Sequence, residues 1–156
     1  MPAPVKPIPD GYHAITPYLI ISGAAAAIDF YKRAFGATEV LRMPDPSGQK
    51  IGHAELKIGD ASFMLADEYP DMGHRSPASL GGTPVSMLVY VENVDQVVAQ
   101  ALAAGATELR PVADQFYGDR VGMVADPFGH VWSIATHVED VPSDELLLRA
   151  AAAFEQ

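Results

Sequence analysis

The stretch GATEVLR, residues 36–42, recurs as GATELR at residues 105–110, and each copy closes one helical pattern and opens one strand pattern. Upstream of the first copy, AAAAIDFYKRAFG (residues 24–36) is made of strong helix formers, with Ile28, Tyr31 and Phe35 on one face and Gly36 to end it. Upstream of the second, NVDQVVAQALAAGA (residues 93–106) offers Asn93 as a cap, an apolar face of Val94, Val97, Val98, Ala101 and Leu102, and Gly105 as the stop. The two words lie 69 positions apart, and the same step carries the Gly59-Asp60 pair onto Phe128-Gly129 and ASFMLAD onto HVWSIAT. Agreement of several elements in one register marks an internal duplication.

Working outward, HAITPYLIIS (residues 13–22) has the β-branched and aromatic content of a strand, with Pro17 confining it to an edge. TEVLRM, IGHAELKI and ASFMLAD supply three more strands, the last two joined by Gly59-Asp60 as a hairpin. The second half reads the same way, from PVSMLVYVE through its helix to TELRPV, DRVGMVAD and HVWSIATH. The expected fold class is α+β, two tandem β-α-β-β-β repeats. Residues 1–11 form a proline-rich arm and 12–138 one domain, made of a repeat over 12–67, a linker over 68–82 and a repeat over 83–138. The tail, 139–156, is expected to hold a helix capped by Ser143, with Leu146, Leu147 and Phe154 docking it or serving a subunit contact.

Composition bounds the function. Ten basic and twenty acidic residues give a formal charge of −10, which opposes nucleic acid and anionic membranes. There is no cysteine, so disulfides, thiolate metal sites and cysteine nucleophiles are excluded. The opening MPAPVKPIPDGY has four prolines and no apolar run, unlike a secretory signal, and no stretch approaches the roughly 20 apolar residues of a membrane span. A cytoplasmic protein is expected.

The duplicated pattern, with IDFYKRAFGA in the first helix and DPFGHVWSI before the last strand, resembles the vicinal oxygen chelate superfamily over roughly residues 12–138. That superfamily includes glyoxalase I, bleomycin resistance proteins, fosfomycin-modifying enzymes and extradiol dioxygenases. ITPYLIISGAAAAIDFY and FYGDRVGMVADPFGHVWSI look most like its glyoxalase-like, phosphonate-operon-type branch. The resemblance implies curled mixed sheets around a cavity, helices on the outer side, and assembly as a homodimer.

It also implies where metal-dependent relatives place their ligands, and onto those positions fall Thr16, Met64, Ser86 and Ser133. A threonine, a thioether and two serines lack the charge and basicity that hold a divalent cation, so no cofactor is expected at the usual metal site. His53 and Glu55 in GHAEL share a strand face and form a candidate acid–base pair or a shifted divalent-metal site; with Lys57 continuing the series, they equally suit a solvated face. His13 has strand parity opposite to Thr16, His74 stands in the linker, His130 follows a turn, and His137 shares parity with Ser133. Trp132 has the opposite parity and should pack toward the helices.

The cavity-facing set is then Thr16, Tyr18, Ile20, Met64, Ser86, Leu88, Tyr90 and Ser133, suited to an aromatic or amphiphilic small molecule. Tyr117 and Arg120 in QFYGDR could close over it from a loop, Arg120 either offering its fork to an anionic group or pairing with Asp119 or Asp126. Three functions fit: metal-free binding or sequestration, which asks only for a pocket; a glyoxalase-like lyase, isomerase or transferase using His53, Glu55 or His137; and a non-catalytic regulatory or interaction role.

Overall fold

Both predicted helix stops are left-handed or nearly so, Gly36 at φ 67° and Gly105 at φ 121°, and both cap amides return to the preceding turn. Each helix is followed at once by a strand, so the repeated word does mark the same junction twice. The computed structural model describes residues 3–155; Met1 and Pro2 of the arm and Gln156 of the tail lie outside the described residues.

In the first half, β1 (Tyr18–Ile21), α1 (Ala24–Phe35), β2 (Thr38–Pro44), β3 (Ile51–Ile58) and β4 (Ala61–Asp67) form a sheet of order β1-β4-β3-β2. β1 runs parallel to β4, and the other pairs are antiparallel. After a short helix α2 (Pro77–Leu80), the second half repeats the plan with β5 (Ser86–Tyr90), α3 (Val94–Ala104), β6 (Thr107–Asp114), β7 (Asp119–Ala125) and β8 (Val131–His137), in the order β5-β8-β7-β6. The expected duplication of β-α-β-β-β units in an α+β fold is therefore present. By contacts the chain divides into two compact units, one up to Gly82 and one from Thr83 onward.

Each sheet buries one face under its helix. In the first unit Leu19, Ile21, Leu56, Phe63 and Leu65 are buried with Ile28, Phe30 and Tyr31 of α1, and the Tyr31 and Phe63 rings meet edge to face at 5.7 Å. In the second, Val124, Trp132 and Ile134 are buried with Val94, Val98 and Ala101 of α3. Trp132 thus packs on the helix side, and its indole Nε1–H donates to Asp126 at 3.0 Å.

Five expectations need correction. The first strand starts at Tyr18 rather than His13, because Pro17 has no amide hydrogen for the ladder and joins only by accepting the Met64 amide at 2.9 Å. The segment 68–82 carries local structure: a turn of 3-10 helix at Pro70–Met72, a bridge between Tyr69 and His74, and α2, whose cap Ser76 accepts from the Ser79 amide. The step between repeats is not constant, since Tyr18 pairs with Met64 where Leu88 pairs with Ser133, and Glu55 pairs with Met64 where Met123 pairs with Ser133. The turn around Phe128-Gly129 is correspondingly longer than Gly59-Asp60, and Asp126 organises it by accepting the Phe128 and His130 amides at 2.9 Å. Finally, α4 (Ser143–Phe154) begins at Ser143 instead of being capped by it, and it buries no residue: Leu147 and Phe154 stay exposed. Leu146 is half-buried and the Phe154 ring meets Phe116 edge to face at 6.2 Å, while Arg149 ties the helix to Glu139 and the Phe116 carbonyl.

Candidate functional site

Because strand side chains alternate, the face of the first sheet turned away from α1 carries Tyr18, Ile20, Met64, His53 and Glu55. The register sets Tyr18, Met64 and Glu55 side by side across three strands. The Tyr18 hydroxyl lies 2.8 Å from His53 Nδ1, and His53 Nε2 lies 3.5 Å from Glu55 Oε2. His53 thus stands between the Tyr18 hydroxyl and the Glu55 carboxylate, one ring nitrogen toward each.

The arm completes this group. The words Pro9-Asp10-Gly11-Tyr12 make a turn in which the Tyr12 amide donates to the Pro9 carbonyl at 3.1 Å and Gly11 takes φ 83°, a value that favours glycine. The turn aims Tyr12 at the sheet, where its hydroxyl donates to Glu55 Oε1. Ser62 Oγ donates to the Gly11 carbonyl at 2.8 Å beside it. Hydrogen bonding to the Glu55 carboxylate pushes the Tyr12 phenol up to about 12, so Tyr12 is a donor at neutral pH. Burial, and then the charge of Glu55, also raise Tyr18.

Between arm and sheet lies a cavity of about 380 Å³. Pro7, Ile8, Pro9 and Tyr12 give its arm side, and Met64 and Glu55 its sheet side. Thr16 and His13 also border it; Thr16 lies outside the strand, and its hydroxyl donates to the His13 carbonyl at 3.4 Å. A second cavity of about 480 Å³ is bordered by His53 together with Met43, Tyr69, Met72 and His74. His74 and His53 thus border one cavity. Tyr12 is a site residue that no periodic pattern marks, and the PDGY turn that ends on it is the one local signal.

On the second sheet, Ser86, Leu88, Tyr90, Ser133 and His137 share the face turned from α3. Leu88 and Tyr90 are exposed and Ser133 is buried. The polar group there is centred on Asp119, a residue the sequence reading left to a possible pair with Arg120. Asp119 accepts the Tyr90 hydroxyl at 2.8 Å and lies 2.7 Å from His137 Nδ1, while Asp140 lies 2.7 Å from Nε2. These two carboxylates, Asp119 first, raise the His137 pKa above its ordinary value.

Arg120 departs from expectation. It stands on β7, not on a loop, and its fork is filled by Asp95, at 2.9 and 3.0 Å, with Asp114 at 3.1 Å. Neither Asp119 nor Asp126 is its partner, since the first faces the opposite side of β7 and the second is committed to its turn and Trp132. Tyr117 lies in the preceding turn, exposed, edge to face with Phe116 at 5.3 Å.

A divalent cation is not served by these donors. Met64 is flanked by Tyr18 and Glu55, Ser133 by Leu88 and Met123, and the positions that the family resemblance marks offer only hydroxyl and thioether groups. Among the described residues there is no cluster of three or more His, Cys, Asp or Glu side chains placed to hold a metal ion. No helix among them is long and apolar enough to cross a membrane.

Comparison with known proteins gives a consistent picture. Residues 12–134 match the model of the Glyoxalase/Bleomycin resistance protein/Dioxygenase superfamily. An uncharacterised protein of Mycobacterium bovis is 48% identical over 136 residues, which cover 85% of this chain and 89% of that one. Among solved structures, TioX from Micromonospora sp. ML1 superposes with a TM-score of 0.61 at 27% identity, over 83% of this chain and 100% of TioX. A Bacillus cereus protein described as a putative 3-demethylubiquinone-9 3-methyltransferase, PhnB protein, shares the fold, with a TM-score of 0.61 at 21% identity over 80% and 99% of the two chains.

Proposed function

The chain belongs to the Glyoxalase/Bleomycin resistance protein/Dioxygenase superfamily, and from that premise we propose that it binds and sequesters a small amphiphilic molecule, with no role for a metal at the family's usual position. The observation that carries this reading is the cavity under the arm, whose apolar walls converge on a single carboxylate already wired to two neighbours. Burial of an apolar body supplies affinity in such a site, and one or two polar groups fix orientation. Thr16, Tyr18 and Met64 belong to this site or its margin. Arg120 and Tyr117 are left out, the first because it is paired with Asp95 and Asp114 and the second because it is exposed on the other unit.

A thermal-shift screen tests the proposal, since a ligand that prefers the folded state raises the melting temperature. Aromatic amphiphiles should shift the wild type, and Met64→Trp, which fills the cavity, should remove the shift. Elemental analysis of protein purified without chelator should find no stoichiometric divalent metal.

A second reading rests on the chain Tyr18, His53, Glu55 and Tyr12: a carboxylate beside an imidazole is an acid–base pair, as a glyoxalase-like lyase, isomerase or transferase would need. Stoichiometric metal that is lost on His53→Ala would favour it over sequestration.

A further inference from the structure

We propose that the ligand of the arm cavity carries a protonated amine on its apolar body, and that this head takes the Glu55 oxygen now held by Tyr12, so that the arm gates the site. This rests on the binding reading above and adds to it the charge of the ligand and the moving part.

Glu55 is the starting point. Its side chain is only 18% exposed, yet among the described residues no lysine or arginine makes an ion pair with it. Its partners are the Tyr12 phenol and His53, neither of which brings a fixed positive charge. A carboxylate this little exposed, with a histidine but no lysine or arginine beside it, has no fixed counter-charge, and an ammonium that reaches it gains both a charge partner and a hydrogen bond. An anionic head would meet no fixed positive charge: among the described residues bordering the cavity there is no lysine or arginine, His13 is the one basic side chain, and Lys57 stands two residues further along β3, outside it. The arginine that could have received an anionic head, Arg120, is already paired with two carboxylates, Asp95 and Asp114. The formal charge of −10 favours approach of cations at long range.

The second half of the proposal comes from how lightly the arm is held. Val5, Ile8 and Ile15 are exposed, so the arm buries little apolar surface. Its side-chain ties to the sheet are the Tyr12–Glu55 bond and the bond from Ser62 to the Gly11 carbonyl. Segments with few buried contacts open at small cost in free energy. Tyr12 therefore sits where an incoming donor must sit, on a segment able to withdraw it, and ligand entry exchanges a neutral donor for a charged one at the same oxygen.

The test uses the full chain and three probes with one body and different heads: naphthylethylamine, naphthylethanol and naphthylpropanoate, titrated calorimetrically near neutral pH. The amine should bind at least about tenfold more tightly than the alcohol, as expected of a charge-assisted bond, and the carboxylate most weakly. The preference should shrink in about 0.5 M salt. It should collapse in Glu55→Gln, with affinity for the alcohol retained, and Tyr12→Phe, which removes the competing donor, should bind the amine more tightly than wild type. Melting curves check that both variants fold; if Glu55→Gln does not, the salt response of the wild type and the Tyr12→Phe result decide. Equal binding of amine and alcohol, or an undiminished preference in Glu55→Gln, overturns the assignment of charge while leaving the cavity a binding site. Failure of all three probes to bind overturns both.

Discussion

Asp67 gives both carboxylate oxygens to backbone amides: Oδ1 accepts from Gly23 at 3.0 Å and Ala24 at 2.9 Å, and Oδ2 from Ile51 at 2.7 Å. It stands in for a cap, because Gly23, the residue before α1, has no side chain to do so. Asp67→Ala would leave three amides without an acceptor and should cost about 2–4 kcal/mol in urea denaturation. In the second unit Thr136 occupies the matching place on β8, accepting the Val94 amide at 2.9 Å, while Asn93 takes the Gln96 amide. His137, one residue on, gives a pH signature. Its folded pKa is raised by Asp119 and Asp140, so the stability it contributes is whole below the ordinary value of about 6.5 and fades as pH rises through the raised one. Melting temperature should therefore fall as pH rises above about 6.5 in wild type, and His137→Asn should flatten the fall.

Among the elements, the segment after β4 is tied together at its start by Glu68. The Ser76 hydroxyl and amide and the Ser79 hydroxyl keep the Glu68 carboxyl down at about 2. Its contribution is present above the ordinary range near 4.5 and is lost as pH falls toward the depressed value. Glu68→Gln should speed hydrogen exchange at the Ser76 and Ser79 amides at neutral pH, and in wild type the same amides should lose protection on acidification. The sequence could not show this, since EYPDMGHRSPASLGG has no period and its order comes from a carboxylate reaching serines eight and eleven residues away. Helices and central strands were legible because glycine stops and alternation are local signals. His53 with Glu55 was legible for the same reason, being two apart on one strand. Arg120 was not: the acids that fill its fork, Asp95 and Asp114, come from α3 and β6, and pairing over such distances leaves no mark in a single sequence. Tyr12 was hidden because an arm without period can be placed only by what it touches.

For the molecule as a whole, the two units repeat one topology while presenting different faces. Val85, Leu88 and Tyr90 near and on β5, and Leu147, Leu148 and Phe154 on or ending α4, are exposed apolar side chains, more than solitary surface residues explain. We infer a homodimer, and sedimentation velocity at micromolar concentration should give twice the chain mass of 16.6 kDa; a monomeric mass would count against it. A difference between the units is built in at matched places on β3 and β7. Ala54, paired with Leu65, is buried, and Gly122, paired with Ile134, is its counterpart. A methyl group at Gly122 would come within 2.8 Å of Val112 and 3.0 Å of Val98. One copy of the ancestral unit has thus kept room for a side chain that the other has squeezed out, and the halves are no longer exchangeable parts: a chimera carrying the first half's strand beneath the second half's helix would jam.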